Sequence, residues 1–419
     1  MKRLALVTLL LITSACTTTR SARLAVPPPD PRTIAEVEAT VAQPSVTKAL
    51  GWIDAHHDDI LAEWRTLTEI NAPSGHEAMR AAAIEQRLRE IRSLEVSRDD
   101  AGNIIAVRKG IGDGPTVVID AHLDTVFEPG LEIHTEIRDG RLYAPGVGDD
   151  TRNVEALLAI ARALDAAGVE TRGNIVFTFT VQEESNFGGM THFLEQGSIR
   201  PDFLIALDGG DNSFTWAGIG SEELRIHFLG PGGHTLAHVP PLSATIPLAR
   251  SIERFDRIRL PQTARLNVGM LSGSSVPNAK AADAWCSVDI RVMHDADLAR
   301  IDGEIRRVVS DESRRSGLQF RIDQVSRRKV AMVPGQRFSP LVRTAEAVFE
   351  ALGYHQPHMS ANGSNHAGVA LRHGISAIST GVGPCRGSHS LDENCAIEPL
   401  YHGIQKVLVL GVQMAGLAQ

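Results

Sequence analysis

Three apolar stretches of this chain run directly into residues that hold protons or cations. The run from Thr116 ends in Asp120-Ala121-His122-Leu123-Asp124, the run from Asn174 ends in Thr180-Val181-Gln182-Glu183-Glu184, and the run from Phe203 ends in Leu207-Asp208-Gly209-Gly210. A further acidic pair, Asp149-Asp150, follows Gly146-Val147-Gly148 where a helix opens, and His389 sits in Gly387-Ser388-His389-Ser390-Leu391-Asp392-Glu393. Alone, an acid at a strand end is a cap or turn former, and a loop histidine is a solvated side chain. Gathered together they are different. Adjacent buried carboxylates repel unless a cation lies between them. Imidazole and carboxylate ligands without thiolate suit zinc, cobalt or manganese. The HExxH zinc helix and the GxSxG nucleophile elbow are both absent.

Such groups meet only if the elements carrying them share an edge. Thr116–Asp124, Asn174–Val181 and Phe203–Asp208 read as strands rich in Val, Ile and Phe. Residues two apart on a strand share a face, so His122 and Asp124 point the same way. The carboxyl ends of strands are where α/β proteins place ligands. Helices are predicted over Val46–Ile70, Glu77–Ile91 and Asn153–Ala167, with a strand over Asn103–Arg108 and a hairpin turn at Asp139-Gly140. The alternation predicts an α/β catalytic domain over 46–213 and 333–419, the helix Ser339–Leu352 included. Between them the order changes. Glu222–Phe228 (strand), Ala244–Phe255 (helix), Arg265–Met270 and Ala284–Val292 (strands), Leu298–Ser316 (helix) and Phe320–Val325 (strand) give a ferredoxin-like α+β insertion over 214–332.

The 419 residues allow two domains and a large core, and a formal net charge of −8 without a long Lys or Arg run argues against a nucleic-acid partner. Lys2, Arg3 and the apolar Leu4–Ile12 read as a signal peptide over 1–15, with lipid on Cys16 as in bacterial lipoproteins. Thr13 stands where such signals usually carry Leu, and an ordinary secretory signal cut nearby is the alternative. Export, a lipid anchor as the only membrane attachment, and a flexible tether over 16–45 with at most one short helix are the expectations. In an oxidising compartment Cys385 and Cys395 either pair or remain buried thiols, as does Cys286.

The motif order from about residue 47 to the C-terminus resembles the dinuclear-zinc exopeptidase and amidohydrolase superfamily of peptidase T, glutamate carboxypeptidase, acetylornithine deacetylase and succinyl-diaminopimelate desuccinylase. The resemblance implies two Zn2+ per subunit, with Co2+ or Mn2+ as substitutes. It implies that His122 and Asp208 complete one metal, Glu184 and His389 the other, and that Asp149 bridges both. Asp124 would orient His122, Glu183 would be the general base, and His234 in Gly230-Pro231-Gly232-Gly233-His234-Thr235 would reach a partner subunit's site from a dimerisation lid. Arg291 in Asp289-Ile290-Arg291 and Asn278 would contact substrate, with a structural ion pair as the other reading of Arg291. The substrate would be a small peptide or an N-acyl amino acid, the former preferred; a non-catalytic binding protein is the remaining reading. Departures fall on substrate contacts. Thr151-Arg152 stands for Lys-Gly after the acidic pair, Pro277 occupies the lid Asn position, and Gly363-Ser364-Asn365-His366-Ala367 replaces Gly-Ser-Thr-Asp-Ala. His366 is read as structural or as a support to the metal residues. Thr17 after Cys16, rather than Asp, points to the periplasmic face of an outer membrane.

Overall fold

A computed structural model describes residues 28–236 and 242–418. Cys16 and the signal sequence lie outside them. Eight strands form the main sheet, in the order Leu94–Arg98, Ile104–Arg108, Ile175–Thr180, Val117–His122, Phe203–Leu207, Ser376–Thr380, Ser213–Thr215 and His358–Ser360. The central four run parallel, from Ile175–Thr180 to Ser376–Thr380. Val117–His122 and Ile175–Thr180 are buried at every position, as strands covered on both faces must be. Their register pairs Val117 with both Ile175 and Phe203. Three strands therefore stop at one level, and the loops that leave them meet at one edge.

Helices cover the sheet. Arg152–Ala167 and Glu398–Ala415 are buried along most of their length, the second over an apolar run from Val407 to Val412. The expected helix over 46–70 is two, Pro44–Ala55 and His57–Thr68. His56 breaks it: its Nδ1 lies 2.7 Å from the Trp52 carbonyl and its ring stacks on Trp52. The expected tether is shorter than 16–45. Asp30 accepts from the Arg32 N–H as an N-cap, Pro31 opens the helix Pro31–Val41, and Val37 buries against the body.

The insertion is a four-stranded antiparallel sheet in the order Ala264–Ser272, Asp283–Val292, Gly220–Leu229, Gln319–Arg328. Helices Thr245–Asp256 and Asp295–Ser316 pack on it. Leu298, Ile301, Ile305, Val308 and Val309 of the second helix form the buried stripe that helical spacing requires. This is the ferredoxin-like arrangement, with a core of its own. Its limits lie inside the expected 214–332, because Ser213–Thr215 belongs to the main sheet. The chain leaves the body at Gly218 and returns at Ala331, which pair as an isolated antiparallel bridge.

Cys385 and Cys395 form a disulfide, which resolves the two readings of that pair. Cys286 is a free, buried thiol, and burial pushes it up to about 12. A chain lacking the first sixteen residues is therefore expected to show no thiol reactive to a chromogenic disulfide reagent when native. One thiol should react in denaturant, and three after reduction in denaturant. Two or more native thiols would contradict the pairing.

Candidate metal centre

His122 ends its strand with the ring held at both nitrogens. Nδ1 lies 3.1 Å from the Asp124 carbonyl and 3.4 Å from Asp124 Oδ1, and Nε2 lies 3.1 Å from Asp149 Oδ1. Asp124 in turn accepts from the Glu183 N–H at 2.9 Å, the Glu184 N–H at 3.0 Å and the Ser74 hydroxyl. One buried carboxylate thus ties the imidazole to the turn that presents both glutamates. Gln182, just before them, holds a left-handed φ of 59°, and His389 one of 65°. Non-glycine residues in that region are concentrated where a site over-determines the backbone.

Asp149 stands between two histidines. Its Oδ1 faces His122 Nε2, and its Oδ2 lies 3.2 Å from His389 Nε2. His389 Nε2 is also 2.9 Å from Glu184 Oε1. His122, Asp149 and Glu184 each offer a ligand atom within 4.8 Å of the others. Asp208 and His389 flank that trio. Asp208 is fixed where its strand ends, its N–H donating to the Thr380 carbonyl at 3.1 Å.

The electrostatics show a site short of positive charge. Burial pushes the carboxyls of Glu183, Asp150 and Asp208 upward, and their like-charged neighbours add to it. Glu184 rises to about 6, chiefly by burial. Burial opposes a charge on His122, yet Asp150, Asp124 and Asp149 hold its proton well above the usual histidine range. The hydrogen bond to Asp149 foremost lifts His389 to about 9. Burial works against ionised Asp149, but the two histidines keep it below the usual carboxylate range. Divalent cations here would stabilise the buried carboxylates in their charged form and take the place of the histidine protons, so the donor set fits zinc.

The predicted site residues of the insertion have partners within the insertion itself. His234 is exposed, in a two-residue strand paired with Ala279–Lys280, and its Nδ1 accepts from the Leu236 N–H. Asn278 accepts the Thr235 N–H through its carbonyl. Arg291 donates to Asp289, at 2.9 and 3.0 Å, in the ion pair that was its structural reading.

Further residues support the site, and Glu393 among them does not stand out in the sequence. Glu393 is fully buried and accepts from the N–H groups of Gly146 (2.8 Å), Gly148 (3.0 Å) and Asp149 (2.7 Å). Asp150 Oδ2 accepts from the His122 N–H at 3.0 Å. His366 pairs with Asp120 at 2.7 Å, both buried, which fits its structural reading, although its Nε2 has no partner among the described residues. Arg328, stacked over Phe187, lines a small polar pocket with Ser221, Ser364, Asn365 and Arg372. The only signal for Glu393 is its place four residues after His389, and nothing local separates it from a solvated loop residue.

Residues 118–410 match Peptidase family M20/M25/M40. The chain is 22% identical to protein YqjE of Bacillus subtilis, itself uncharacterised, over 84% of this chain and 97% of that one. It is 23% identical to carboxypeptidase G2 of Pseudomonas sp. strain RS-16, over 47% of this chain and 49% of that one. A tripeptidase structure from Staphylococcus aureus superposes with a TM-score of 0.77 at 19% identity, covering 86% of this chain and 98% of that one. That last likeness is one of fold.

Proposed function

This chain belongs to peptidase family M20/M25/M40, and we propose that it is a dinuclear-zinc exopeptidase acting on small peptides. It is a hydrolase of peptide or amide bonds. The observation that carries the two-metal reading is Asp149, whose two oxygens face two different histidines. His122 and Asp208 would hold one zinc, His389 and Glu184 the other, with Asp149 shared. Two such ions would polarise the scissile carbonyl and acidify a water.

The chain's own residues divide the remaining work. Glu183 lies outside the ligand trio, and burial raises its proton affinity. A carboxyl so placed takes a proton from water near neutral pH and passes it to the leaving amine. Asp124 fixes the His122 ring from behind. Arg291, part-exposed beside Asp289, and Asn278 of the insertion would meet the substrate. The pocket of Arg328 and Arg372 suits a substrate carboxylate, which free peptides and N-acyl amino acids share.

The test is turnover by the full chain on free di- and tripeptides, their C-terminally amidated forms, and N-acyl amino acids. Peptide cleavage is expected, abolished by a chelator and restored by Zn2+. Preference for N-acyl amino acids would make the protein a deacylase. No turnover of any of them with two ions bound would favour the binding-protein reading.

His234 is exposed on the insertion, which suits a role across a dimer. Glu183→Gln and His234→Ala variants should each be inactive alone. Mixed and re-associated, they should recover about a quarter of wild-type activity, since about half the dimers are mixed and each has one complete site. No recovery, or a monomeric mass in solution, would remove the shared-site reading. Export and lipid attachment at Cys16 complete the proposal. Cys16→Ser should move the protein out of the outer-membrane fraction, and unchanged fractionation would refute the anchor.

A further inference from the structure

We propose that Glu393 is a positioning residue for Asp149, held in place by the Cys385–Cys395 disulfide. This rests on the two-metal reading above. Asp149 can be shared between two cations only if the backbone beneath it is fixed. That backbone is the turn Gly146-Val147-Gly148-Asp149, with two glycines and a left-handed φ of 73° at Gly146. The Val147 N–H bonds the Ala144 carbonyl, and Thr151 and Trp64 bond the carbonyls of Gly146 and Val147, which leaves three N–H groups of the turn to be held from elsewhere. These three N–H groups converge on one buried carboxylate, Oε2 of Glu393 taking Gly146 and Oε1 taking Gly148 and Asp149. One of the three is the N–H of Asp149 itself.

Glu393 is fixed from its own side as well. Its N–H donates to the Ser390 carbonyl at 3.2 Å, and its carbonyl accepts from the Ala144 N–H at 3.1 Å. The disulfide closes the loop from 385 to 395 that carries both His389 and Glu393. A Cβ on Gly148 would come within 2.8 Å of both sulfurs and within 2.8 Å of Glu393 Oε1. The disulfide and the carboxylate are thus pressed against the residue just before Asp149, and only glycine fits between them. The same loop acts twice on Asp149: His389 reaches its carboxylate, and Glu393 holds its backbone. A strand pair, Asn394 with Tyr143 and Cys395 with Leu142, locks the loop to the body. The shared position is therefore assembled by a chain segment some 245 residues away from it.

The experiment is Co2+ titration of the full metal-depleted chain, read by calorimetry and by visible absorption of the bound cobalt. The variants are Glu393→Ala, Glu393→Gln and Cys385→Ser/Cys395→Ser. Wild type is expected to take two ions. Glu393→Ala should lose the second, or bind it roughly 10- to 100-fold more weakly, with an altered spectrum. Glu393→Gln, which keeps one acceptor oxygen, should fall between. The disulfide-free variant, with His389 and Glu393 intact, should show the same weakening as Glu393→Gln. Should Glu393→Ala fail to fold, Glu393→Gln decides the matter. Two ions bound with wild-type affinity and spectrum in a folded Glu393 variant would overturn the proposal. If wild type takes up one ion only, the two-metal reading falls, and the same comparison still tests Glu393 at that ion.

Discussion

Glu183→Gln is expected to lower kcat by roughly 10²–10⁴-fold while leaving metal content and KM near wild type. The exchange keeps the shape and removes the proton carrier. Glu183 is buried, follows the left-handed Gln182, and donates its own N–H to Asp124 rather than offering its carboxyl to the ligand trio. Its elevated proton affinity comes first from burial, then from Asp208, Glu184 and Asp124. An amide can neither take a proton from water nor return one to an amine. The measurement is steady-state kinetics on the best peptide, with metal counted by elemental analysis of the same sample. Activity within tenfold of wild type would give the base role to another group.

Asp149→Ala should fail in a different way. Removing the carboxylate that lies against both His122 and His389 takes a ligand from both proposed metal positions. Affinity for both ions should fall by more than the roughly 10- to 100-fold that the loss of an outer partner costs. Chelator competition in calorimetry would record it, and activity should follow the metal. Loss of one ion alone would mean that Asp149 serves a single position. The pair of variants separates chemistry from assembly, since one keeps the ions without turnover and the other loses the ions themselves.

Much of the centre is legible in the sequence, because its residues sit where strands stop. Val117–His122, Ile175–Thr180 and Phe203–Leu207 are continuous apolar runs, and a parallel sheet aligns their ends. The strand and helix order of the insertion is equally visible in its periodicity. The features that escape depend on contacts distant in sequence. The Glu393 carboxylate meets N–H groups 244 to 247 residues earlier, which no local pattern encodes. The break at His56 arises from a side chain bonding back to its own helix, inside a run whose apolar spacing is unbroken. Pro31–Val41 lies beside a proline-rich stretch and becomes a helix because its apolar face docks, with Thr40 donating to Gln413 at 2.6 Å. Composition speaks for a tether with room for one short helix; that helix is present, and tertiary packing docks it on the body.

The bridge between Gly218 and Ala331 bears on how such a protein could be taken apart. The two ends of the insertion lie side by side, about 5 Å apart as paired strands are. His122, Asp149, Glu183, Glu184, Asp208 and His389 all belong to the remainder, and each part has its own apolar core. A short turn could join the cut ends without stretching the sheet. The two parts are therefore separable in the chain: the insertion could be exchanged while the six residues of the body stay where they are, and His234 and the substrate contacts proposed for the insertion would go with it.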